Sequence, residues 1–316
     1  MLQTIDISDR SFLNAKKVVE AASDQGFLLL TNHPFSRGDL DDLFDISKSF
    51  FDLPVDEKKK YLISPTNEGY IPFRREDLQE DGTGKGDLKE CFNLTHIDLT
   101  TFKPQQELPS VLKKQINRLS ELIQKYYDIL FAMCKLLAIG LDIRDENNQL
   151  DEDYFVRAHD LNLKQQSTLR LLHYNKPIGE EANENLCGAH TDYGSLTFLF
   201  QRPNGDLQVK TSSGWVNAVT KDDDTIIVNI ADMLSFWTNG KLKSTLHRVR
   251  CTQERYSVAF FAQPADDVLL DPVPSSICKN LTGRGASEYV KTHGKSMTSL
   301  QHLQKRLAKG YGWKKE

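Results

Sequence analysis

Apolar residues recur every three or four positions in the first part of the chain, which is the spacing of one helix face. The first such run covers residues 12–22 and follows Asp9, a candidate N-cap, so we predict a helix that ends near Gly26. A short apolar strand is predicted at 27–30, and a second helix at 36–51.

The longest helical pattern covers residues 109–140, and its wide apolar stripe suits a helix that backs a sheet. Residues 62–107 show little periodicity and are rich in Gly, Pro, Asp and Thr, so they are predicted to form a long irregular connection. A further helix is expected at 287–307, near the C-terminus.

After about residue 165 the pattern changes to short runs of β-branched and aromatic residues separated by turn signals. These runs are 168–174, 196–201, 207–211, 215–219, 225–230, 246–250 and 256–263. Strands of this length and spacing predict a sandwich or barrel of jelly-roll type. Asn239-Gly240 is a candidate type I′ hairpin turn, because both positions tolerate a positive φ.

Composition narrows the class of protein. The chain has 316 residues, of which 39% are hydrophobic and 27% charged, as in an ordinary globular protein. It carries 40 Lys and Arg against 44 Asp and Glu, so there is no basic footprint and we expect no nucleic-acid partner. No apolar run has the length of a membrane span, so no membrane partner is expected either.

The termini and the cysteines bear on the compartment. The N-terminal segment carries acidic residues where a secretory signal would have basic and apolar ones. The five cysteines are an odd number and contain no CxxC pair, which is typical of a reducing compartment. We therefore expect a cytoplasmic protein, with the nucleus as the alternative.

The first chemical signal is His190-Thr-Asp192, followed on a later strand by His247. Positions i and i+2 of a strand point the same way, so one segment could present an imidazole and a carboxylate together. Two histidines and one carboxylate leave three positions of an octahedron open, as in non-haem Fe(II) oxygenases. On its own, such a tripeptide is weak evidence.

A second signal strengthens the first. Arg255 comes directly before the predicted strand at 256–263, and with the strand extended to it Arg255 and Ser257 share one face. An inward-facing arginine in a barrel is costly unless it meets an anion, and its planar fork fits a carboxylate. A surface arginine is the ordinary alternative, but it loses weight beside a candidate metal triad.

With these residues in view, the chain resembles the iron(II)- and 2-oxoglutarate-dependent dioxygenases of the isopenicillin N synthase-like family. The resemblance covers nearly the whole chain. Its motifs are Gly26-Phe27, Asn32-His33, Phe51-Asp-Leu-Pro54, Asp87-Leu-Lys-Glu90-Cys-Phe92, Gly188-Ala-His-Thr-Asp192, Asp232-Met-Leu, His247-Arg-Val249 and Arg255-x-Ser257.

The resemblance implies a set of roles. His190, Asp192 and His247 would bind Fe(II), and catalysis would run through this metal centre. Arg255 and Ser257 would hold the distal carboxylate of 2-oxoglutarate, the co-substrate. The co-substrates would be 2-oxoglutarate, which is decarboxylated to succinate and CO2, and O2, with ascorbate as a candidate reductant.

Further positions follow from the same resemblance. Tyr174 falls where the family has a tyrosine that also touches 2-oxoglutarate, whereas Leu172 stands where the family often has Asn. Tyr193 and Phe261 are candidate substrate-pocket residues, although core packing is the ordinary role of an aromatic residue in a β-run. The prime substrate would be a small organic molecule, most simply hydroxylated, and a monomer is expected.

The implied fold is mainly β with flanking helices. We expect an N-terminal α/β module at 1–107, backing helices at 108–160, a double-stranded β-helix (jelly-roll) catalytic core at 161–282, and a helical C-terminal tail at 283–316. All four are expected to form one cooperative unit.

Three alternatives remain at this point. A zinc hydrolase could use the same two histidines and carboxylate, but it would not need a carboxylate anchor at Arg255. A non-catalytic sensor could keep the fold. A family member could oxidise or cyclise its substrate without 2-oxoglutarate, and the Arg-x-Ser pair does not exclude it. Cys187, three residues before His190, is interpreted as an inert buried thiol.

Overall fold

A computed structural model describes residues 2–76, 78, 86–176, 185–202, 205–220, 222, 224–250, 253–278 and 285–310. Its helices are α1 (Phe12–Asp24), α2 (Arg37–Phe51), α3 (Val55–Lys58), α4 (Ser110–Lys114), α5 (Ile116–Gly140), α6 (Tyr154–Ala158), α7 (Asp232–Trp237), α8 (Ala286–His293) and α9 (Ser299–Gly310). Its strands are β1 (Gln3–Asp6), β2 (Phe27–Thr31), β3 (Gly69–Ile71), β4 (Glu90–Leu94), β5 (Ile97–Asp98), β6 (Lys103–Pro104), β7 (Thr168–Tyr174), β8 (Cys187–His190), β9 (Leu196–Arg202), β10 (Leu207–Thr211), β11 (Gly214–Asn217), β12 (Ile226–Ile230), β13 (His247–Val249) and β14 (Arg255–Ala262).

Two sheets form the centre of the molecule. The major sheet has the order β1-β2-β12-β9-β14-β7-β4-β3, and the minor sheet has the order β11-β10-β13-β8. Only the β1–β2 pair is parallel among the described strand pairs. Apolar side chains of both sheets meet in one buried cluster, here called the inner cluster, which includes Leu172, Leu207, Val249 and Ala259. The predicted jelly roll is confirmed, and its seven predicted strands lie within two residues of the observed ones.

The helices cover the other face of the major sheet. Their apolar sides and the outward side chains of the sheet form a second, larger cluster that extends from Ile5 to Leu303. The long backing helix predicted at 109–140 is interrupted at Gln115, where α4 ends and α5 begins. α5 packs closely on α1 through Gly140, where a Cβ atom would lie only 2.3 Å from the carbonyl oxygen of Ala15.

The irregular connection predicted at 62–107 is wrong for the described residues. β3 and β4 extend the major sheet there, and β4 pairs with β7 so that Glu90 lies opposite His173. All five residues of β4 are buried, so the strand lacks the alternation that predicts one. Glu90 is tolerated inside because its carboxylate accepts hydrogen bonds from Lys58 (2.8 Å) and Tyr70 (2.6 Å). Residues 79–85 lie outside the described part.

Three smaller expectations also need correction. Ser11, not Asp9, caps α1, because its side chain accepts a hydrogen bond from the Asn14 backbone N–H. Asn239 and Gly240 do have positive φ angles, but they follow α7 and join no hairpin. The C-terminal helix is two helices, α8 and α9, because the chain turns at the left-handed Gly294.

None of the helices in the described part of the chain combines the length and the apolar character needed to cross a bilayer. Lys314 and Lys315 of the predicted C-terminal tail lie outside the described residues, as does Cys251. The other four cysteines are buried free thiols.

Candidate active site

Two histidines face each other across the minor sheet. β8 ends at His190 and β13 begins at His247, and the antiparallel register places these two residues directly opposite one another. Their ring centroids are 4.3 Å apart. Sheet pairing therefore brings together two imidazoles that are far apart in the sequence.

Backbone carbonyl groups fix both rings. Nδ1 of His190 lies 2.7 Å from the Gly188 carbonyl oxygen, and Nδ1 of His247 lies 3.1 Å from that of Thr245. A carbonyl only accepts, so each Nδ1 carries the proton and donates it. Each Nε2 then faces Asp192, and in the neutral ring it carries the lone pair that a metal-ligating histidine needs.

Asp192 supplies a carboxylate at the same point. Its Oδ1 lies 3.6 Å from Nε2 of His190 and 3.6 Å from Nε2 of His247. The expectation that one strand carries both His190 and Asp192 is wrong, because β8 ends at His190 and Asp192 lies in the connection to β9. The carboxylate still reaches the two rings, since the chain turns from one sheet to the other there.

The major sheet holds the second oxygen of Asp192. Oδ2 accepts hydrogen bonds from Thr197 Oγ1 of β9 (2.6 Å) and from Asn229 Nδ2 of β12 (2.9 Å). Burial raises the pKa of Asp192, but His247 and His190, when they carry a second proton, and the Thr197 hydrogen bond lower it by more, so the net pKa lies well below its ordinary value. Asp192 is therefore an ionised carboxylate with one oxygen oriented and the other directed at the histidines.

The donor set fits a hard-to-borderline divalent metal. The three ligand atoms lie within 4.8 Å of one another, and in the described residues this is the only such group of His, Cys, Asp or Glu side chains. Two imidazole nitrogens and one carboxylate oxygen on one side of an ion form the facial arrangement of non-haem iron sites. Cys187 lies behind His190, with Sγ 3.8 Å from Nδ1, and burial raises its thiol pKa to about 12.

Arg255 is buried between the sheets, only 1% exposed. Its guanidinium donates hydrogen bonds to Ser257 Oγ (3.1 Å) and to Gln201 Oε1 (2.9 Å). The guanidinium carbon lies 4.7 Å from the centroid of the Tyr174 ring. Cross-strand pairing explains the cluster, since Arg255 lies opposite Tyr174 and Ser257 opposite Gln201.

Arg255 lowers the pKa of the Asp206 carboxyl, although burial raises that pKa by more, and no ion pair joins the two groups. No Asp or Glu of the described residues forms an ion pair with Arg255, and its Nε has no hydrogen-bond partner among them. Lys89, the other buried cation nearby, is different because it pairs with Glu76 (2.8 Å) and Asp87. An anion bound in this space would therefore meet Arg255.

Two cavities meet at His190 and Asp192. The inner cavity lies between the sheets and is lined by Arg255, Ser257, Tyr174 and Leu172 together with the triad. The outer cavity is lined by Tyr193, Gln263, Leu303 and Leu307. His190, Asp192 and Phe261 line both cavities. The eight predicted site residues thus line one continuous space: His190, Asp192, His247, Arg255, Ser257, Tyr174, Tyr193 and Phe261.

Comparison with known proteins identifies the family. Residues 166–264 match the 2OG-Fe(II) oxygenase superfamily, and residues 2–114 match the N-terminal region described as non-haem dioxygenase in morphine synthesis N-terminal. UPF0676 protein C1494.01 of Schizosaccharomyces pombe is 34% identical, over 85% of this chain and 84% of its own length. The chain belongs to the 2OG-Fe(II) oxygenase superfamily.

Other relatives agree with this membership. Proline hydroxylase buaE of Petromyces alliaceus is 30% identical, over 92% of this chain and 91% of its own length. A Neurospora crassa protein solved with alpha-KG (2-oxoglutarate) has a TM-score of 0.79 and 25% identity, with 97% of this chain and 96% of that chain covered. The same protein with alpha-KG and thymine gives a TM-score of 0.78 and 26% identity, with 98% and 97% covered.

The prediction of an oxygenase rather than a zinc hydrolase is confirmed. The enzyme is an Fe(II)- and 2-oxoglutarate-dependent dioxygenase of the isopenicillin N synthase-like class, an oxidoreductase that uses Fe(II), 2-oxoglutarate and O2.

The sequence alone did not single out several residues of the site. Thr197, Asn229 and Gln201 are polar positions inside strands that are otherwise almost wholly apolar. That is itself a signal, because a polar side chain in a buried strand needs a partner. Gln263 and the leucines of α9 carry no comparable signal, since only the fold brings them to the cavity.

Proposed function

We propose that His190, Asp192 and His247 hold the Fe(II) of this oxygenase. The observation that carries the proposal is the position of Asp192, whose Oδ1 is equidistant from the two Nε2 atoms while its Oδ2 is already bound to the major sheet. With both rings neutral, an ionised oxygen and two nitrogen lone pairs would otherwise face one another without a common partner. A divalent cation satisfies all three.

The chain's own residues then set orientation. The Gly188 and Thr245 carbonyl groups hold the two rings, while Thr197 and Asn229 hold the carboxylate. When bound, the iron would supply the oxidising chemistry, using O2 and 2-oxoglutarate, at a carbon of the substrate. Leu172, Leu207 and Ala259 line the inner cavity beside the triad and would limit the access of water to the reaction.

We propose that Arg255 and Ser257 bind the distal carboxylate of 2-oxoglutarate, with Tyr174 beside it. Arg255 is the buried cation of this cavity without a carboxylate partner among the described residues, whereas Lys89 has two. A guanidinium binds a carboxylate through charge-assisted hydrogen bonds, and Ser257 can add a hydroxyl donor. Leu172 lies opposite Ser257 and lines the same cavity, so it offers only apolar contact there.

We propose that the outer cavity holds the prime substrate, with Tyr193 and Phe261 on its walls. Gln263 is 4% exposed, and its Oε1 has no hydrogen-bond partner among the described residues. An N–H or O–H group of the substrate would satisfy it. The Neurospora crassa protein was solved with thymine, a small neutral ring that carries such groups, so we propose a substrate of that class.

The first experiment measures Mn(II) affinity and succinate formation. Wild-type enzyme with iron, air, ascorbate and a panel of small N–H and O–H compounds should convert 2-oxoglutarate to succinate. His190→Ala and Asp192→Ala should lose both Mn(II) binding and turnover, whereas His293→Ala, at an exposed helix position, should keep both. Unchanged Mn(II) affinity in either site variant would contradict the ligand assignment. Turnover without 2-oxoglutarate would favour the co-substrate-independent alternative.

We also propose that the protein acts as a monomer in the cytoplasm. Four buried free thiols suit a reducing compartment, which also keeps iron ferrous. Light scattering should give the mass of one chain, 36.0 kDa, and a tagged chain should be found in the cytoplasm. A dimer, or accumulation in another compartment, would contradict the respective proposal.

A further inference from the structure

The last helix of the described chain forms part of the active-site wall. Leu303 and Leu307 of α9 are one turn apart, so they share a helix face, and both line the outer cavity. Arg306 is the neighbouring residue, and it points at the connection that carries Asp192. A segment more than a hundred residues away in sequence thus contacts the site of the proposed metal.

Arg306 makes three contacts there. Its Nη2 lies 2.6 Å from Asp232 Oδ2 and 3.1 Å from Thr191 Oγ1. Its guanidinium carbon lies 5.1 Å from the centroid of the Tyr193 ring. Thr191 stands between the proposed ligands His190 and Asp192, and Tyr193 follows directly. One guanidinium therefore contacts the residues on both sides of Asp192.

Asp232 joins this contact to the backbone of Asp192. Its own N–H donates to the Asp192 carbonyl oxygen (2.8 Å), and its Oδ2 accepts a hydrogen bond from Thr191 (3.0 Å). Ser244 donates to the other oxygen, Oδ1 (2.6 Å). Asp232 is thus fixed at the start of α7 and holds the connection between β8 and β9 from outside.

The connection needs such support. β8 ends at His190 and β9 begins at Leu196, so the ladder of the sheets does not fix the backbone between them. Main-chain hydrogen bonds from Asp232 and Met233 hold part of it. The side chains of Thr191 and Tyr193 add a further restraint, because both contact the Arg306 guanidinium.

We propose that Arg306 is a positioning residue of the metal site, and that α9 is an integral part of the active site. Arg306 binds no metal. It restrains residues 191–193 so that the Asp192 carboxylate keeps its orientation toward the two histidines. The proposal rests on the proposed metal ligands. Residues that orient metal ligands from behind typically contribute about 10- to 100-fold to metal affinity.

The test compares Arg306→Gln with Lys305→Gln, which removes a positive charge from the adjacent, exposed position. Mn(II) binding is measured by anaerobic titration of the full chain, and thermal unfolding is measured without metal. Arg306→Gln should weaken Mn(II) binding about tenfold, while Lys305→Gln leaves it unchanged. Arg306→Lys should retain most of the affinity, because a single nitrogen of Arg306 contacts both Asp232 and Thr191.

A second variant covers the case in which Arg306→Gln does not fold. Thr191→Val removes the hydroxyl that contacts both Arg306 and Asp232, and it leaves the Arg306–Asp232 ion pair in place, so it should weaken Mn(II) binding without a comparable loss of stability. Wild-type affinity in folded Arg306→Gln or in Thr191→Val would overturn the inference. A wild-type protein that does not bind Mn(II), or His190→Ala that binds it normally, would instead overturn the proposed metal site.

Discussion

Replacing Arg255 with methionine separates co-substrate binding from metal binding. The substitution removes a guanidinium that is 1% exposed and whose hydrogen-bond partners, Ser257 and Gln201, are both neutral. The ligand-free protein loses two hydrogen bonds, but it no longer buries a charge that forms no ion pair with the described residues, a cost of several kcal/mol. Because these effects oppose each other, we expect the free energy of unfolding to stay within about 1 kcal/mol of wild type.

The effect on 2-oxoglutarate has no such compensation. A hydrogen bond to a charged group contributes about 1.5–3 kcal/mol, and a guanidinium can form two with one carboxylate. The variant should therefore lose at least about 3 kcal/mol of binding free energy for 2-oxoglutarate, which raises the dissociation constant about 100-fold. Mn(II) affinity should not change, because no hydrogen bond or ion pair of Arg255 involves the triad.

Two titrations decide the matter. Calorimetry gives the 2-oxoglutarate affinity at saturating Mn(II), and a second titration gives the Mn(II) affinity alone. Arg202→Met is the matched control, because Arg202 lies near the end of β9 and pairs with Asp41 at the surface. A 2-oxoglutarate affinity within threefold of wild type would refute the assignment. A parallel loss of Mn(II) binding would show that Arg255 supports the fold around the metal instead.

Three further predictions concern other parts of the site and its surroundings. Thr197→Val removes the 2.6 Å hydrogen bond to Asp192 and should weaken Mn(II) binding about 10- to 100-fold; unchanged affinity would contradict this role. Burial lowers the pKa of His159 to about 4 from 6.5, so the unfolded chain takes up a proton below pH 6.5 that the native protein does not bind. Stability is thus lost as the pH falls, by about 2 kcal/mol between pH 7 and 5. In urea unfolding, His159→Gln should lack this loss, whereas the control His293→Gln should keep it. The same dependence of the unfolding free energy on pH in both variants would refute the argument. Gln263→Met removes the unpaired buried acceptor and should stabilise the ligand-free protein by about 1 kcal/mol while it reduces substrate-dependent succinate formation; a less stable variant would mean that the amide is already satisfied.

The sequence allowed the triad to be predicted because His190-Thr-Asp192, His247 and Arg255-x-Ser257 are short motifs whose order resembles a known family. What it could not supply was the register that places His247 opposite His190, since that depends on the pairing of β13 with β8. The position of Asp192 was predicted for an incorrect reason. It lies beyond the strand, and its orientation comes from Thr197 and Asn229 of the other sheet rather than from strand alternation.

Strand β4 shows a different limit. Its Glu90 and Asn93 are buried, so the hydrophobic pattern gives no sign of a strand. Glu90 is stabilised by Lys58, which lies 32 positions earlier, and by His173 of β7. A pattern that is read along the chain cannot register partners that only the tertiary structure provides.

The site as a whole depends on the spacing of the two sheets. The histidines belong to the minor sheet, whereas the oxygen of Asp192 that sets the carboxylate plane is held by the major sheet. The geometry of the proposed metal site therefore depends on the packing between the sheets, to which Leu207 of the minor sheet and Ala259 of the major sheet contribute. Because protein interiors are close-packed, a change of volume there must shift one sheet against the other or distort side chains. Substitutions in the inner cluster should therefore shift the proposed iron ligands even though they replace none of them, whereas changes of equal volume beneath the helices should act mainly on stability.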